Sequence, residues 1–236
     1  MNAPIVEIAV ENPAGARAAK EGGAQRLELA QALHTTGGIT PSWAVTKAVC
    51  EVGLPVHVLI RCRPGGFVYS REEVELMAQD IAKLAELPVA GFVIGAATTD
   101  GHLDLEAIDA MVAAAPGKDF TVHRVIDTLA HPLPEVEKLQ GRVKRVLSSG
   151  GAKAASEGKA ALRRYVELDL EVMAGGGVRP HNLGALRDLG LDAVHSSCAA
   201  RLHSYGSAGP GGGEDAVMDT DVAQVKEIVE AVSSWG

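Results

Sequence analysis

Cysteine is scarce in this chain: three residues in 236, Cys50, Cys62 and Cys198, with no Cys-x-x-Cys spacing among them. An odd count without paired spacing argues against a disulfide framework and a structural zinc site, and it predicts a reducing, cytoplasmic setting. Positive charge is also short. The 22 Lys and Arg stand against 30 Asp and Glu, for a formal net charge of −8, and the basic residues form no cluster. Nucleic acid and membrane surfaces are therefore not expected as partners. The longest apolar stretch, near Leu87 to Ala97, falls far short of the roughly 20 residues needed to cross a bilayer. The opening Met1-Asn2-Ala3-Pro4-Ile5-Val6-Glu7 lacks the basic and apolar regions of a signal peptide, which again predicts the cytoplasm. A Gly-x-Gly-x-x-Gly turn is missing too. Glu11-Asn12-Pro13-Ala14-Gly15 follows the first apolar run, so an open dinucleotide-binding sheet is not expected.

What is present is a soluble globular balance, 47 % hydrophobic and 22 % charged, long enough for one core and without a linker to divide it. Eight short aliphatic runs recur along the chain: Ile5–Val10, Arg26–Leu29, Val56–Arg61, Gly91–Gly95, Phe120–Arg124, Arg145–Ser148, Glu171–Ala174 and Ala193–Ser196. Helical patterns lie between them, among them Arg71–Glu86, which opens on a Ser70/Glu73 capping box, then Leu105–Ala114, and last about Asp219 to Val232. Eight strands alternating with helices predict an α/β fold, a single-domain (βα)8 TIM-type barrel over 1–236. After the eighth run, Tyr205 to Asp215 holds five glycines and a proline. In a barrel this segment sits at the C-terminal rim, where it reads equally as a lid or as a plain loop.

Side chains alternate between the two faces of a strand. If Val6, Ile8, Val10, Leu27, Leu29, Val56, Val58, Ile60, Phe92, Ile94, Val122, Val146, Val172 and Val194 pack outward on helices, then Glu7, Glu28, His57, Arg61, His123, Ser149, Met173 and His195 point inward. Barrel interiors are ordinarily filled by Val, Ile and Leu. Convergent carboxylates, imidazoles and a guanidinium are costly there unless paired or used. Glu7, Glu28 and a His123/Asp127 pair are thus candidates for acid/base chemistry. Arg61, Arg63 and Arg124 are candidates for holding an anion, because guanidinium forks match carboxylate and phosphate. Ser149, the glycines Gly176 and Gly177, and His195 complete an anion- or substrate-binding set near the last strands. On these residues alone, an enzyme acting on a small anionic or phosphorylated metabolite stands beside a non-catalytic barrel, and the polar interior argues against the latter.

Taken together and in order, the motifs resemble the CutC family over nearly the whole length. They are Glu21-Gly22-Gly23-Ala24-Gln25-Arg26-Leu27-Glu28-Leu29, Gly37-Gly38-Ile39-Thr40-Pro41-Ser42, the Arg61–Ser70 loop, Asp80-Ile81, Gly91-Phe92-Val93-Ile94-Gly95 and His123-Arg124-Val125-Ile126-Asp127. Val146-Leu147-Ser148-Ser149-Gly150-Gly151, Met173-Ala174-Gly175-Gly176-Gly177-Val178 with Asn182, and His195-Ser196-Ser197 complete the set. The resemblance implies a (βα)8 barrel, a cytoplasmic homo-oligomer and a role in copper homeostasis. Copper ion is then the implied ligand, and Cys62, Cys198 and Met173 are the soft donors that Cu(I) prefers, with His123 and His195 as imidazole donors. Two departures touch this implication. Ala30 stands where the family's second strand typically ends in cysteine, and Arg61-Cys62-Arg63-Pro64-Gly65-Gly66-Phe67 departs from the family's Arg-Pro-Arg-Gly-Gly-Asp-Phe.

Overall fold

Eight parallel strands close into a barrel in strict chain order: β1 (Ile5–Val10), β2 (Arg26–Leu29), β3 (Val56–Leu59), β4 (Gly91–Ile94), β5 (Asp119–Val122), β6 (Arg145–Ser148), β7 (Glu171–Ala174) and β8 (Ala193–Ser196). The computed structural model describes residues 3–204, 206, 209–210 and 216–236, with side chains except those of 202–204 and 216. Glycine-rich 205–215, read above as a lid or loop, lies largely outside the described residues. Helices α1 (Pro13–Glu21), α2 (Leu33–Thr36), α3 (Trp43–Cys50), α4 (Arg71–Leu84), α5 (Leu105–Ala113), α6 (Pro132–Glu137), α7 (Lys159–Tyr165), α8 (Pro180–Leu183) and α9 (Val222–Ser233) lie between and after the strands. None of the described helices is long and apolar enough to cross a membrane.

The outward positions behave as the alternation requires. Val6, Ile8, Leu27, Leu29, Val58, Phe92, Ile94, Val122, Val146 and Val194 are buried together with Ala16, Ile81, Ile108 and Val225 from the helices, so the main core is the layer between sheet and helices. Inside the barrel only small apolar groups occur. Ala30, Leu59 and Val93 form one, with Leu33 against it, and Leu147, Met173 and Ala193 form another. The remaining interior is polar: Glu7, Arg26, Glu28, His57, Arg61, Thr121, His123 and Arg145 are all buried.

Several boundaries differ from the sequence expectation: β4 stops at Ile94 rather than Gly95, β5 is Asp119–Val122 rather than Phe120–Arg124, and α4 and α5 end at Leu84 and Ala113 rather than Glu86 and Ala114. The third strand ends at Leu59 rather than Arg61, because Arg61 N donates to the Thr40 side chain instead of a neighbouring strand; parity nonetheless holds, with Ile60 buried in the outer layer. The last helix begins at Val222, not near Asp219, and the preceding residues form β10 (Ala216–Thr220), antiparallel to β9 (Ala199–Ser204). Asp221 supplies the helix N-cap by accepting from Ala223 N. The α4 capping box is present as expected, with Ser70 Oγ accepting from Glu73 N and Glu73 Oε2 accepting from Ser70 N.

Candidate functional site

At the C-terminal mouth a cavity of about 310 Å³ is lined by residues from most strands and their following loops. Its size is at the lower end of small-molecule sites. The floor belongs to β1, β2 and β8, which closure of the barrel makes neighbours: Glu7 sits opposite His195 in the β1–β8 register and opposite Arg26 in the β1–β2 register. Glu7 is fully buried beneath the cavity. It accepts from Arg26 Nε and is 2.9 Å from His195 Nδ1. Burial works against its charge, yet the His195 hydrogen bond and Arg26 outweigh burial and hold the carboxyl well below its usual range. For His195, burial is likewise outweighed, here by Glu28 and Glu7, so its imidazole titrates above its ordinary value.

Glu28 faces the cavity from β2. Its Oε2 is buried without a hydrogen-bond partner, and burial, with Glu7 nearby, pushes its carboxyl up to about 7. A carboxyl poised there exchanges a proton readily at neutral pH, which is what general acid/base work requires.

His123 ends β5. Its Nδ1 accepts from Val125 N at 3.1 Å. Burial and the Arg61 charge press the imidazole down to about 4, so the ring is neutral near pH 7. A neutral ring whose Nδ1 is an acceptor carries its proton on Nε2, and that buried Nε2 has no partner. Phe67 packs against the ring at 4.7 Å between centroids. Gly95 leaves room for it, since a Cβ there would collide with His123 Cε1.

The expected His123/Asp127 pair does not form. Asp127 instead accepts from Ser148 Oγ, Ser149 N, Gly151 N and Arg124 Nε. Against burial, these hydrogen bonds hold its carboxyl below the ordinary value, so it is an anchor for the loop after β6, and it does not line the cavity. Ser149 is bound into the same anchor: its amide and hydroxyl both contact Asp127, which removes the donors expected of it. Arg124 does reach the rim. Its Nη2 donates to Ser149 Oγ at 3.0 Å, and its guanidinium lies on Gly176, where a Cβ would come within 2.9 Å of Arg124 Cζ. Gly176 and Gly177 have φ of +102° and +64°, a conformation that glycine adopts without steric cost. Their amides donate to no acceptor among the described residues.

The two arginines after β3 part company. Arg61 lines the cavity and ties the mouth together, its Nη1 donating to the Thr36 and Gly38 carbonyls at 2.9 Å each; its Nε is buried without a partner. Arg63 turns away. It pairs with Glu73, the residue that caps α4, and stacks over Tyr69, so it does not line the cavity. Two ionisable lining residues were not among the sequence candidates: His34 at 3.5 Å from Glu11, and Arg179, which reaches Ser196 Oγ at 3.4 Å. Arg179 follows the glycine run after β7, so a basic residue next to that run was an available signal. Arg26 and Arg145 were also legible, since outward Leu27 and Val146 imply that their neighbours face in.

The soft donors implied for copper are not gathered. Cys62 packs against the outer apolar layer and Cys198 is buried within it. Met173 lies inside the barrel with its sulfur accepting from Arg26 at 3.3 Å, and none of the three lines the cavity. Burial raises both of these thiols, which works against the thiolate form that Cu(I) needs. These residues do not fit a copper centre at the mouth. Among the described residues one cluster of His, Cys, Asp and Glu has ligand atoms within 4.8 Å of one another: Glu7, Glu28 and His195. Both Glu7 oxygens are already engaged, which leaves two donors where metal sites ordinarily use three or four protein ligands. The cluster reads better as a proton-sharing network.

The CutC family model matches residues 4–200. A CutC family protein of Agrobacterium fabrum is 36 % identical, the match covering 98 % of this chain and 96 % of that protein. A second, from Xanthomonas campestris, is 37 % identical over 97 % of this chain and 99 % of its own length. Among solved structures, CutC from Streptococcus agalactiae superposes with a TM-score of 0.76 at 28 % identity, covering 82 % of this chain and 98 % of that one.

Proposed function

The chain belongs to the CutC family, and from this premise we propose that its barrel mouth binds a small anionic, phosphorylated metabolite and acts on it by acid/base chemistry. The observation that carries this reading is the set of three buried, partnerless polar atoms on residues lining one cavity: Glu28 Oε2, His123 Nε2 and Arg61 Nε. Each such atom costs about 1–3 kcal/mol when left unsatisfied, and a bound ligand with oxygens of its own relieves that cost. Glu28 is then the proton carrier, His123 the neutral donor, and Arg124, Arg179 and the Gly176–Gly177 amides hold the anionic end. Three free thiols suit a reducing cytoplasm for this chemistry. Self-association belongs to the same proposal, supported by large apolar side chains such as Trp43 and Leu76 left at the surface.

The test is calorimetric titration with inorganic phosphate, glycerol 3-phosphate and ribose 5-phosphate. At least one organic phosphate is expected to bind more tightly than inorganic phosphate. Arg124→Gln and Arg179→Gln are each expected to weaken it by about tenfold or more, the scale of one charge-assisted hydrogen bond. Equal affinity in wild type and both variants would sink the reading.

A second reading, copper homeostasis with bound copper ion, draws its support from the relative in S. agalactiae, which is named for that role. It requires thiolate or thioether donors, and here Cys62, Cys198 and Met173 are dispersed. The anion reading is therefore preferred.

A further inference from the structure

If the cavity is a site for a phosphorylated metabolite, the reading on which this inference rests, the composition of its wall narrows the chemistry. Among the described residues the lining contains no Lys, Cys, Tyr or Asp. Schiff-base formation and thiolate attack therefore lack a nucleophile. Ser196 and Ser197 line the wall, but Ser196 Oγ donates to the Val178 carbonyl at 2.8 Å, and among the described residues no hydrogen bond joins either serine to a histidine or a carboxylate. An activated serine is thus missing as well. What is left is a proton acceptor, neutral and cationic hydrogen-bond donors, and an anion-holding rim.

Glu28 Oε2 is an acceptor to which no protein donor is aimed, on a residue that shares the cavity wall with the apolar side chains of Leu33 and Leu59. Such an oxygen suits a proton that makes no hydrogen bonds of its own, one on carbon. His123 Nε2 and Arg61 Nε are donors without acceptors, and they call for a substrate oxygen. Neutral imidazole is the form suited to that role, because it stabilises negative charge developing on a carbonyl oxygen without surrendering its proton. His195 is held by Glu7 through Nδ1 at 2.9 Å, which leaves its other ring nitrogen for the site. Glu7 is thereby a positioning residue. Gly175 makes room for this ring, since a Cβ there would fall 3.1 Å from His195 Cβ.

We infer that the cavity is built to move a proton on a carbon adjacent to the carbonyl group of a short phosphorylated hydroxy-carbonyl compound, with Glu28 as the catalytic base and the His123 Nε2–H on the carbonyl oxygen. The Glu28 carboxylate takes the proton, the C–H electron pair becomes the carbon–carbon double bond of an enolate, and the carbonyl electron pair moves onto the oxygen held by His123. Glu28 then delivers the proton to the neighbouring carbon, the former carbonyl carbon, while His195 carries the hydroxyl proton from one oxygen to the other. The outcome is an isomerisation that exchanges the carbonyl and hydroxyl positions, and no oxidant, reductant or second substrate is consumed.

The experiment is deuterium wash-in. The full chain is incubated in D2O with dihydroxyacetone phosphate, ribulose 5-phosphate and xylulose 5-phosphate, and loss of the C–H signal next to the carbonyl is followed by proton NMR. Protein-dependent exchange is expected for at least one probe. Glu28→Gln is expected to slow it by about 10²–10⁴-fold while still binding inorganic phosphate, which shows that the variant is folded. Probes that bind without exchanging, or exchange that survives Glu28→Gln, would overturn the inference and leave the anion site standing. Failure of phosphate and every probe to bind would remove both.

Discussion

Replacing Glu7 by glutamine tests whether the barrel floor is held by charge compensation. Glu7 is fully buried, its two oxygens taken by Arg26 Nε and His195 Nδ1, and His57 Nδ1 stands 3.7 Å away. Glutamine keeps the volume, so no cavity contributes to the effect. What is lost is the negative charge, and it deprives the Arg26 guanidinium, only 5 % exposed, of its ion-pair partner. Removing one partner of a buried pair costs about 3–5 kcal/mol. For a domain of this length that lowers Tm by roughly 6–20 °C. Because the Glu7 carboxyl is held far down in the folded protein, its contribution is complete above the unfolded-state carboxylate value and fades only as pH falls below it. Urea unfolding followed by circular dichroism, at pH 7 and again at acid pH, measures both. The double variant Glu7→Leu/Arg26→Met, which removes both charges, is expected to recover most of the loss. A Glu7→Gln loss below about 1 kcal/mol at pH 7 would refute the reasoning, since a buried arginine cannot lose its ion-pair partner so cheaply.

Two further outcomes are expected. His57 and His123 are both pressed down to about 4, chiefly by burial, so between pH 6.5 and 4 the unfolded chain binds protons that the folded chain refuses, and their stabilisation is lost as pH falls through that window. Glu28, raised to about 7, works in the opposite sense, losing stabilisation as pH rises from its unfolded value toward 7. Nitrogen-15 NMR of the histidine rings separates them: His57 and His123 should remain neutral at pH 5.5, and a midpoint near 6.5 for either would contradict their burial. For copper, anaerobic Cu(I) titration against a competing chelator should find weak binding that is unchanged in Cys62→Ser. Sub-picomolar binding of one ion that depends on Cys62 would reverse the preference between the two functional readings.

The two-residue period of the strands was enough to sort faces. Outward Val6, Ile8, Leu27, Leu29, Val58 and Val194, and inward Glu7, Glu28, His57, Arg61 and His123, all lie where alternation puts them, because parity is a local property that survives small errors in strand ends. Count and alternation of elements likewise implied the barrel, and the capping box at Ser70 is a matter of three residues. Partner choice was beyond reach. His195 finds Glu7 across 188 residues and Arg26 finds Met173 across 147, contacts that exist only because β8 closes onto β1. Asp127 lies four residues from His123, a spacing that suggests a pair, yet the amides of the loop after β6 satisfy it first. Arg63 was drawn off by a helix cap, and Cys62 and Cys198, close to the mouth in sequence, packed outward. Local periodicity by itself determined the architecture and the side of the sheet on which each polar group lies. Only the closed tertiary structure decided which of those groups satisfy one another and which three atoms are left for a ligand, because hydrogen-bond satisfaction depends on distance in space and not on separation along the chain.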